Sequence, residues 1–258
     1  MIKIIDPVMI EIFSFPIRWY GVIIISAILI ALIILNNLLK SESDLDFEFF
    51  IDFLLFAFPL AVIGGRLYYV IFNLDYYLAD PIRIIAFREG GLAIHGALIF
   101  AFLVLFLMTK KRDIPLLKTL DYISPPLVLA QSIGRWGNFF NQEAYGRIVR
   151  AEYFRFLPDF IQEQMYIRGE FREPTFLYES AANFFIFIFL YFYLTKKQKT
   201  TGNTFAFYLL FYSIFRFIIE DLRVDSLLFA GLEVAKIVSL ISALIAISLL
   251  LINKNKNN

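Results

Sequence analysis

The chain has 258 residues, 60% of them hydrophobic, with 31 Phe and a net charge of +1. A soluble domain is about 45–50% apolar, so the excess, gathered into long runs at a mean hydropathy of +0.71, marks an all-α polytopic membrane protein, and the small net charge gives no reason to expect nucleic-acid binding. Cysteine is absent and His95 is the only histidine, which excludes disulfides, thiolate metal sites, a cysteine nucleophile within the chain and a multi-histidine metal centre; no cofactor is expected.

Residues 1–18 hold Asp6, Pro7, Glu11 and Pro16, and no small-residue cleavage site follows the first apolar run, so a cleavable signal peptide is not expected. A membrane-crossing helix needs roughly 17–25 mostly apolar residues, and seven are predicted. The first, about 19–39, opens on Tyr20 and is followed by Glu42, Asp44, Asp46 and Glu48. The second, about 49–72, is interrupted by Gly64-Gly65-Arg66, and the third, about 91–109, contains His95 just after Arg88 and Glu89. The fourth, about 120–140, is the weakest, with Asp121, Pro125, Pro126, Gln131 and Arg135. The fifth, sixth and seventh fall at about 175–195, 204–222 and 233–253. Residues 141–174 form the one long polar stretch, short for a folded domain and long enough for a small cap within a single integral membrane domain, residues 1–258.

Short basic loops set the direction of such a chain. Lys110, Lys111, Arg112 and Lys118, then Lys196, Lys197 and Lys199, then Lys254 and Lys256 share one side if seven helices cross. That side is cytoplasmic, as is the carboxyl terminus; the amino terminus and the 141–174 cap lie outside. The net-acidic loop after the first span is an exception on the cytoplasmic side, and the five arginines of the long loop, Arg147, Arg150, Arg155, Arg168 and Arg172, are less bound by the rule. Tyr20, Arg66, His95, Arg135, Asn138, Arg216, Glu220 and Arg223, from five spans, then fall near the outer leaflet. Polar groups at membrane depth are expensive and usually mark a site.

Each of these residues has a plain reading beside the functional one. Arg135 with Trp136 matches a snorkelling anchor at the interface, but Asn138, Asn141, Gln142 and Glu143 follow directly, and an anchor has no need of them. His95 is either a satisfied polar residue near a helix start or a proton carrier, with Gly90, Gly91 and Gly96 allowing close approach. Arg216, Glu220 and Arg223 follow helical spacing on one face of the sixth span; they form an ion-pair ladder or, with two guanidinium forks, a phosphate site. Phe13, Trp19, Tyr76 and Tyr77 read as interfacial belt or lipid-facing packing.

In order, the chain carries Arg18-Trp-Tyr20-Gly21, Gly90-Gly91-Leu-Ala-Ile-His95-Gly96, Gly134-Arg135-Trp-Gly137-Asn138-Phe139-Phe-Asn141-Gln-Glu143-Ala-Tyr-Gly146, Pro174-Thr175-Phe-Leu177-Tyr178-Glu179, and Phe215-Arg216 through Glu220 to Arg223. Together they resemble the bacterial prolipoprotein diacylglyceryl transferases over nearly the whole chain. The resemblance implies seven transmembrane helices with a small extracytoplasmic cap in the bacterial inner membrane. It implies transfer of the diacylglyceryl group of phosphatidylglycerol to the lipobox cysteine thiol of a preprolipoprotein signal peptide, with glycerol 1-phosphate leaving. On that resemblance Arg135 and Arg216 hold the phosphate, and His95 is a base or hydrogen-bonding partner for the thiol. Tyr20, Gly96, Asn138, Glu143 and Gly146 line the site, and Glu220 and Arg223 support the sixth span. Ala97 and Gln142 stand where the family pattern has glycine, and Glu173 and Phe176 depart from its His-Pro-Ser/Thr-Gln; Glu173 removes a second histidine. The competing functions are a lipid or anionic-solute transporter, which places its polar site near the midplane between repeats, a diverged paralogue acting on another lipid, and a non-enzymatic scaffold or receptor.

Overall fold

A computed structural model describes residues 4–40, 42–86, 90–197, 200–229 and 231–256. Arg88, Glu89 and Lys199 lie outside the described residues. The chain is helical: α1 (Trp19–Leu39), α2 (Phe47–Ile71), α3 (Leu74–Ala79), α4 (Ile94–Lys111), α5 (Leu116–Asn141), α6 (Asp159–Gln164), α7 (Thr175–Lys196), α8 (Asn203–Glu220) and α9 (Val234–Lys256). Of these, α1, α2, α4, α7 and α9 are long and apolar enough to cross a membrane. The stretches predicted as the fourth and sixth spans form helices, α5 and α8, but these carry more polar side chains and are not among the five. Short antiparallel hairpins, β1–β2 (Val8–Ile12, Phe15–Arg18), β3–β4 (Tyr166–Ile167, Glu170–Phe171) and β5–β6 (Leu228–Phe229, Leu232–Glu233), join them. None of the three was predicted, and the first lies ahead of α1. It turns through Phe13 and Ser14, both at positive φ (47° and 62°), as a two-residue hairpin turn demands. Phe13 is therefore a fully exposed hairpin tip.

Two compact units divide the chain: residues 39–119, and residues 1–38 together with 120–258. In the first, α2 packs against α4 through glycine. A Cβ on Gly96 would lie 2.3 Å from the Gly64 carbonyl oxygen, and one on Gly64 would lie 2.3 Å from the Phe100 ring. The Ala93 amide donates to the Gly65 carbonyl at 3.0 Å. Contrary to the reading from the sequence, Gly64-Gly65 does not interrupt α2; it is the flat surface on which the start of α4 rests. Arg66 beside it is buried. Its guanidinium donates to the backbone carbonyls of Arg83, Ile84 (2.9 Å), Ala86 (3.3 Å), Gly90 (2.5 Å) and Gly91 (3.2 Å), and it stacks over Tyr77. Helix α4 starts at Ile94, later than predicted, because Gly90 and Gly91 take left-handed φ (85° and 74°). Two carboxylates of the acidic loop are paired, Glu42 (2.8 Å) and Asp44 (2.5 Å) both with Lys118, and Arg112 pairs with Asp52 of α2. The Lys118 hydrogen bond holds the Asp44 carboxyl below its ordinary range.

In the second unit α8 packs between α7 and α9. Asp121, fully buried in α5, accepts from the Gly202 amide (2.6 Å) and the Phe205 amide (2.8 Å). It satisfies amides that the N-terminus of α8 leaves without intrahelical partners and places negative charge at the positive end of the helix dipole. Asn253 of α9 donates to Thr201 O (3.1 Å) and Asn203 Oδ1 (2.8 Å) in the same turn. The residue that weakens the predicted fourth span is thus what anchors the sixth.

Residues between α5 and α7 build a small apolar core of Phe154, Ile161, Met165 and Ile167 on Phe139 and Phe176. Buried Gln164 ties it together. Its side chain donates to the carbonyls of Phe139 (3.2 Å) and Phe140 (3.3 Å) in the last turn of α5, where helical carbonyls run out of intrahelical partners. The same side chain accepts from the Ile5 amide (2.8 Å).

Asp121→Ala should lower stability by about 1–3 kcal/mol, because buried amides lose their acceptor; reversible unfolding in mixed micelles reads this directly. Gly96→Ala should lower it by about 1–3 kcal/mol in the same measurement by wedging α2 from α4.

Candidate functional site

Glu179 lies one turn into α7, with 4% exposure, and is the only carboxylate of that otherwise apolar helix. One of its oxygens, Oε2, meets Arg135 Nη2 of α5 at 2.7 Å. The other, Oε1, lies 3.8 Å from Arg216 Nη1 of α8 and 3.9 Å from Arg223 Nη1. Arg216 Nη2 in turn meets Glu220 Oε2 at 2.6 Å across one helical turn, the pairing that the i, i+4 spacing suggests. Glu179 Oε1, Arg216 Nη1 and Glu220 Oε2 are buried without an aligned hydrogen bond. Buried polar groups are nearly always satisfied, and exceptions mark sites that do something else. A small cavity opens beside them, lined by Asn183, Tyr212 and Phe215 as well as Glu179 and Arg216.

Arg223 is not on the helical face expected from its spacing. Helix α8 ends at Glu220, and Arg223 sits in an isolated bridge with Gly146. Its guanidinium reaches Asp225 as a fork (3.0 and 3.1 Å) while still facing Glu179. Gly146 makes this possible. Its amide donates to Glu173 O at 2.9 Å. A Cβ there would lie 2.8 Å from Glu173 Cβ and 3.0 Å from Leu222 O. Close packing alone thus explains this glycine, and the same holds for Gly96.

The polar block after Arg135 folds back over the end of α5. Asn138 Nδ2 donates to Glu143 Oε1 at 2.8 Å. A Cβ on Gly137 would lie 2.8 Å from the Tyr20 ring, so this glycine admits Tyr20 of α1 to the same region, where it interacts electrostatically with Arg135 and Glu143. Gln142 and Ala144 take left-handed φ (51° and 55°), which explains why glycine suits position 142. Gln142 in this chain adds a hydrogen bond from its side chain to Gln164 O at 2.7 Å. Glu173, at the other departure from the family pattern, is buried and accepts from Arg147 Nε (3.1 Å) and Tyr153 Oη (2.9 Å). Burial raises the Tyr153 phenol above its ordinary range, and Glu173 acts in the same direction.

His95 belongs to the 39–119 unit. It is the second residue of α4, half-buried, its ring 6.0 Å from that of Tyr68 between centroids. The segment leading to it is the one Arg66 clamps. Arg66 therefore holds a backbone, whereas Arg135 and Arg216 meet carboxylates. Within the other unit, the structure brings together Arg135, Arg216, Glu220 and Arg223 around Glu179, with Tyr20, Asn138 and Glu143 at the end of α5. Glu179 has no role on the family resemblance alone; its one mark in the sequence is that of a lone carboxylate in a largely apolar helix.

The arrangement concentrates guanidinium forks, the side chain best matched to phosphate, at the end of apolar helices. A family profile for prolipoprotein diacylglyceryl transferase matches residues 7–252. A phosphatidylglycerol–prolipoprotein diacylglyceryl transferase of Clostridium novyi is 44% identical over 252 residues, covering 98% of this chain and 97% of the relative. Another, from Streptococcus uberis, is 44% identical over 253 residues, covering 98% and 96%. A third, from Clostridium perfringens, is 44% identical over 250 residues, covering 96% and 94%. With a matching profile and relatives along nearly its whole length, this chain belongs to the prolipoprotein diacylglyceryl transferase family.

Proposed function

We propose that the protein transfers the diacylglyceryl group of phosphatidylglycerol to the thiol of the lipobox cysteine of preprolipoproteins, forming a thioether and releasing glycerol 1-phosphate. It is a multi-pass enzyme of the bacterial inner membrane. The observation that carries the reading is the cluster of Arg135, Arg216 and Arg223 about buried Glu179 in a chain of this family.

The sulfur attacks the carbon of the diacylglyceryl group that bears the phosphate ester. A C–S bond forms, the C–O bond breaks, and its electron pair leaves on glycerol 1-phosphate. Negative charge grows on the departing phosphate oxygen, so donors placed there stabilise the transition state more than the ground state. Arg135 and Arg216 are those donors, and Glu220 and Arg223 support them. Tyr20, Asn138 and Glu143 line the approach to the phosphate. Gly96 and Gly146 act through the close packing they permit. His95 takes the thiol proton. The nucleophile comes with the peptide substrate, which fits a chain without cysteine.

Residues 1–258 act as one integral membrane domain in which α5 and α8 cross the bilayer with the five apolar helices, seven in all. The amino terminus and the 141–174 cap are extracytoplasmic and the carboxyl terminus is cytoplasmic. The basic loops support this direction, and the pairing of Lys118 with Glu42 and Asp44 fits the acidic loop and the basic loop on one side.

Purified protein incubated with phosphatidylglycerol and a lipobox peptide should give a peptide with a diacylglyceryl adduct on cysteine by mass spectrometry; folded protein that gives none contradicts the assignment. Arg135→Ala should lower the rate of adduct formation by about 10²–10³, and an undiminished rate would remove it from the phosphate clamp. His95→Gln should lower turnover by about 10²–10⁴ while phosphatidylglycerol binding persists; unchanged turnover would exclude it as the base.

A further inference from the structure

At the site three arginines face three carboxylates: Arg135, Arg216 and Arg223 meet Glu179, Glu220 and Asp225. The three carboxylates are not equivalent. Asp225 takes the fork of Arg223, and its side chain is 47% exposed. Glu220 meets Arg216 at 2.6 Å, on the same helix. Glu179 is shared: Oε2 is held by Arg135 at 2.7 Å, while Oε1 stands 3.8–3.9 Å from both other guanidinium groups. That oxygen and Arg216 Nη1 are buried and lack hydrogen-bond partners.

We infer that Glu179 is the positioning residue of the transferase reaction, the common counter-ion that sets Arg135 and Arg216 at one anion site and leaves Arg216 Nη1 free for the phosphate. The inference rests on the transferase reading. It goes beyond that reading in giving the chemistry an anionic residue with no contact to the reacting atoms.

Two opposed effects follow from removing this charge. Glu179→Gln keeps the size of the side chain and leaves the cluster with one unbalanced positive charge, so an anionic headgroup binds at least as well. The arginines lose the partner that fixes their spacing, so the transition-state charge is met less well and turnover falls. A variant that lowers kcat without raising KM has lost an interaction specific to the transition state or gained ground-state binding. A side chain that only packs the helices together gives no such split.

The test compares wild type, Glu179→Gln and Glu179→Asp for adduct formation on a lipobox peptide, for binding of phosphatidylglycerol in micelles by native mass spectrometry, and for thermal unfolding. The expected result is a kcat for Glu179→Gln at least ~10-fold below wild type with KM for phosphatidylglycerol unchanged or lower, lipid binding retained, and Glu179→Asp between the two. Turnover of Glu179→Gln within about twofold of wild type, a rise in KM that accounts for the whole loss, or loss of the folding transition in both variants would overturn the inference. A wild-type protein without adduct would instead overturn the transferase reading, and lipid binding by the variants would show it separately.

Discussion

A buried carboxylate between arginines is the constraint on which the organisation of the larger unit turns. Ionised groups at the end of apolar helices are tolerated only when paired, and Glu179 provides pairing for groups from three segments: Arg135 near the end of α5, Arg216 in the last turns of α8 and Arg223 beyond it. Because Arg223 must reach this carboxylate from outside a helix, its backbone bridges to Gly146. Because Gly146 must lie that close, the loop after α5 takes the left-handed turns at Gln142 and Ala144. The loop is in turn fixed by Gln164, whose side chain also closes the end of α5. The small core between α5 and α7 thus serves as the frame of the arginine cluster.

Arginines in this protein do two different kinds of work, and their partners distinguish them. Arg66 is surrounded by the backbone carbonyl oxygens of Arg83, Ile84, Ala86, Gly90 and Gly91, so it fixes the backbone at Gly90 and Gly91 that leads into His95. Arg135 and Arg216 meet carboxylates, and Arg216 Nη1 is buried without a hydrogen-bond partner of its own. From sequence, all three read alike, as charges in apolar helices. Only the identity of the acceptors separates a structural guanidinium from one suited to phosphate.

The helices were legible because runs of apolar residues and their charged ends are set by the thickness of the bilayer; the predicted and observed limits differ by a few residues. The differences have local causes. Gly64-Gly65 reads as a break but lies within α2, since a glycine pair packed against a neighbouring helix loses none of its hydrogen bonds. Asp121 and the prolines make α5 read as weak, because hydropathy does not register that the carboxylate is spent on the amides of α8. The hairpin before α1 carries no Asn-Gly or Gly turn signal, with Phe13-Ser14 at its tip. Among site residues, Arg135, Arg216 and Glu220 were readable from charge and spacing. Glu179 was not, because its importance lies in three contacts from residues far apart in sequence.

The central claim is that the arginines about Glu179 receive the phosphate of the lipid. A structure of the protein in nanodiscs with phosphatidylglycerol bound tests it most directly. The account predicts a phosphate group within hydrogen-bonding distance of both Arg135 and Arg216, with Glu179 still in contact with Arg135. A headgroup bound elsewhere, with the arginine–carboxylate contacts undisturbed and no phosphate beside them, would contradict it.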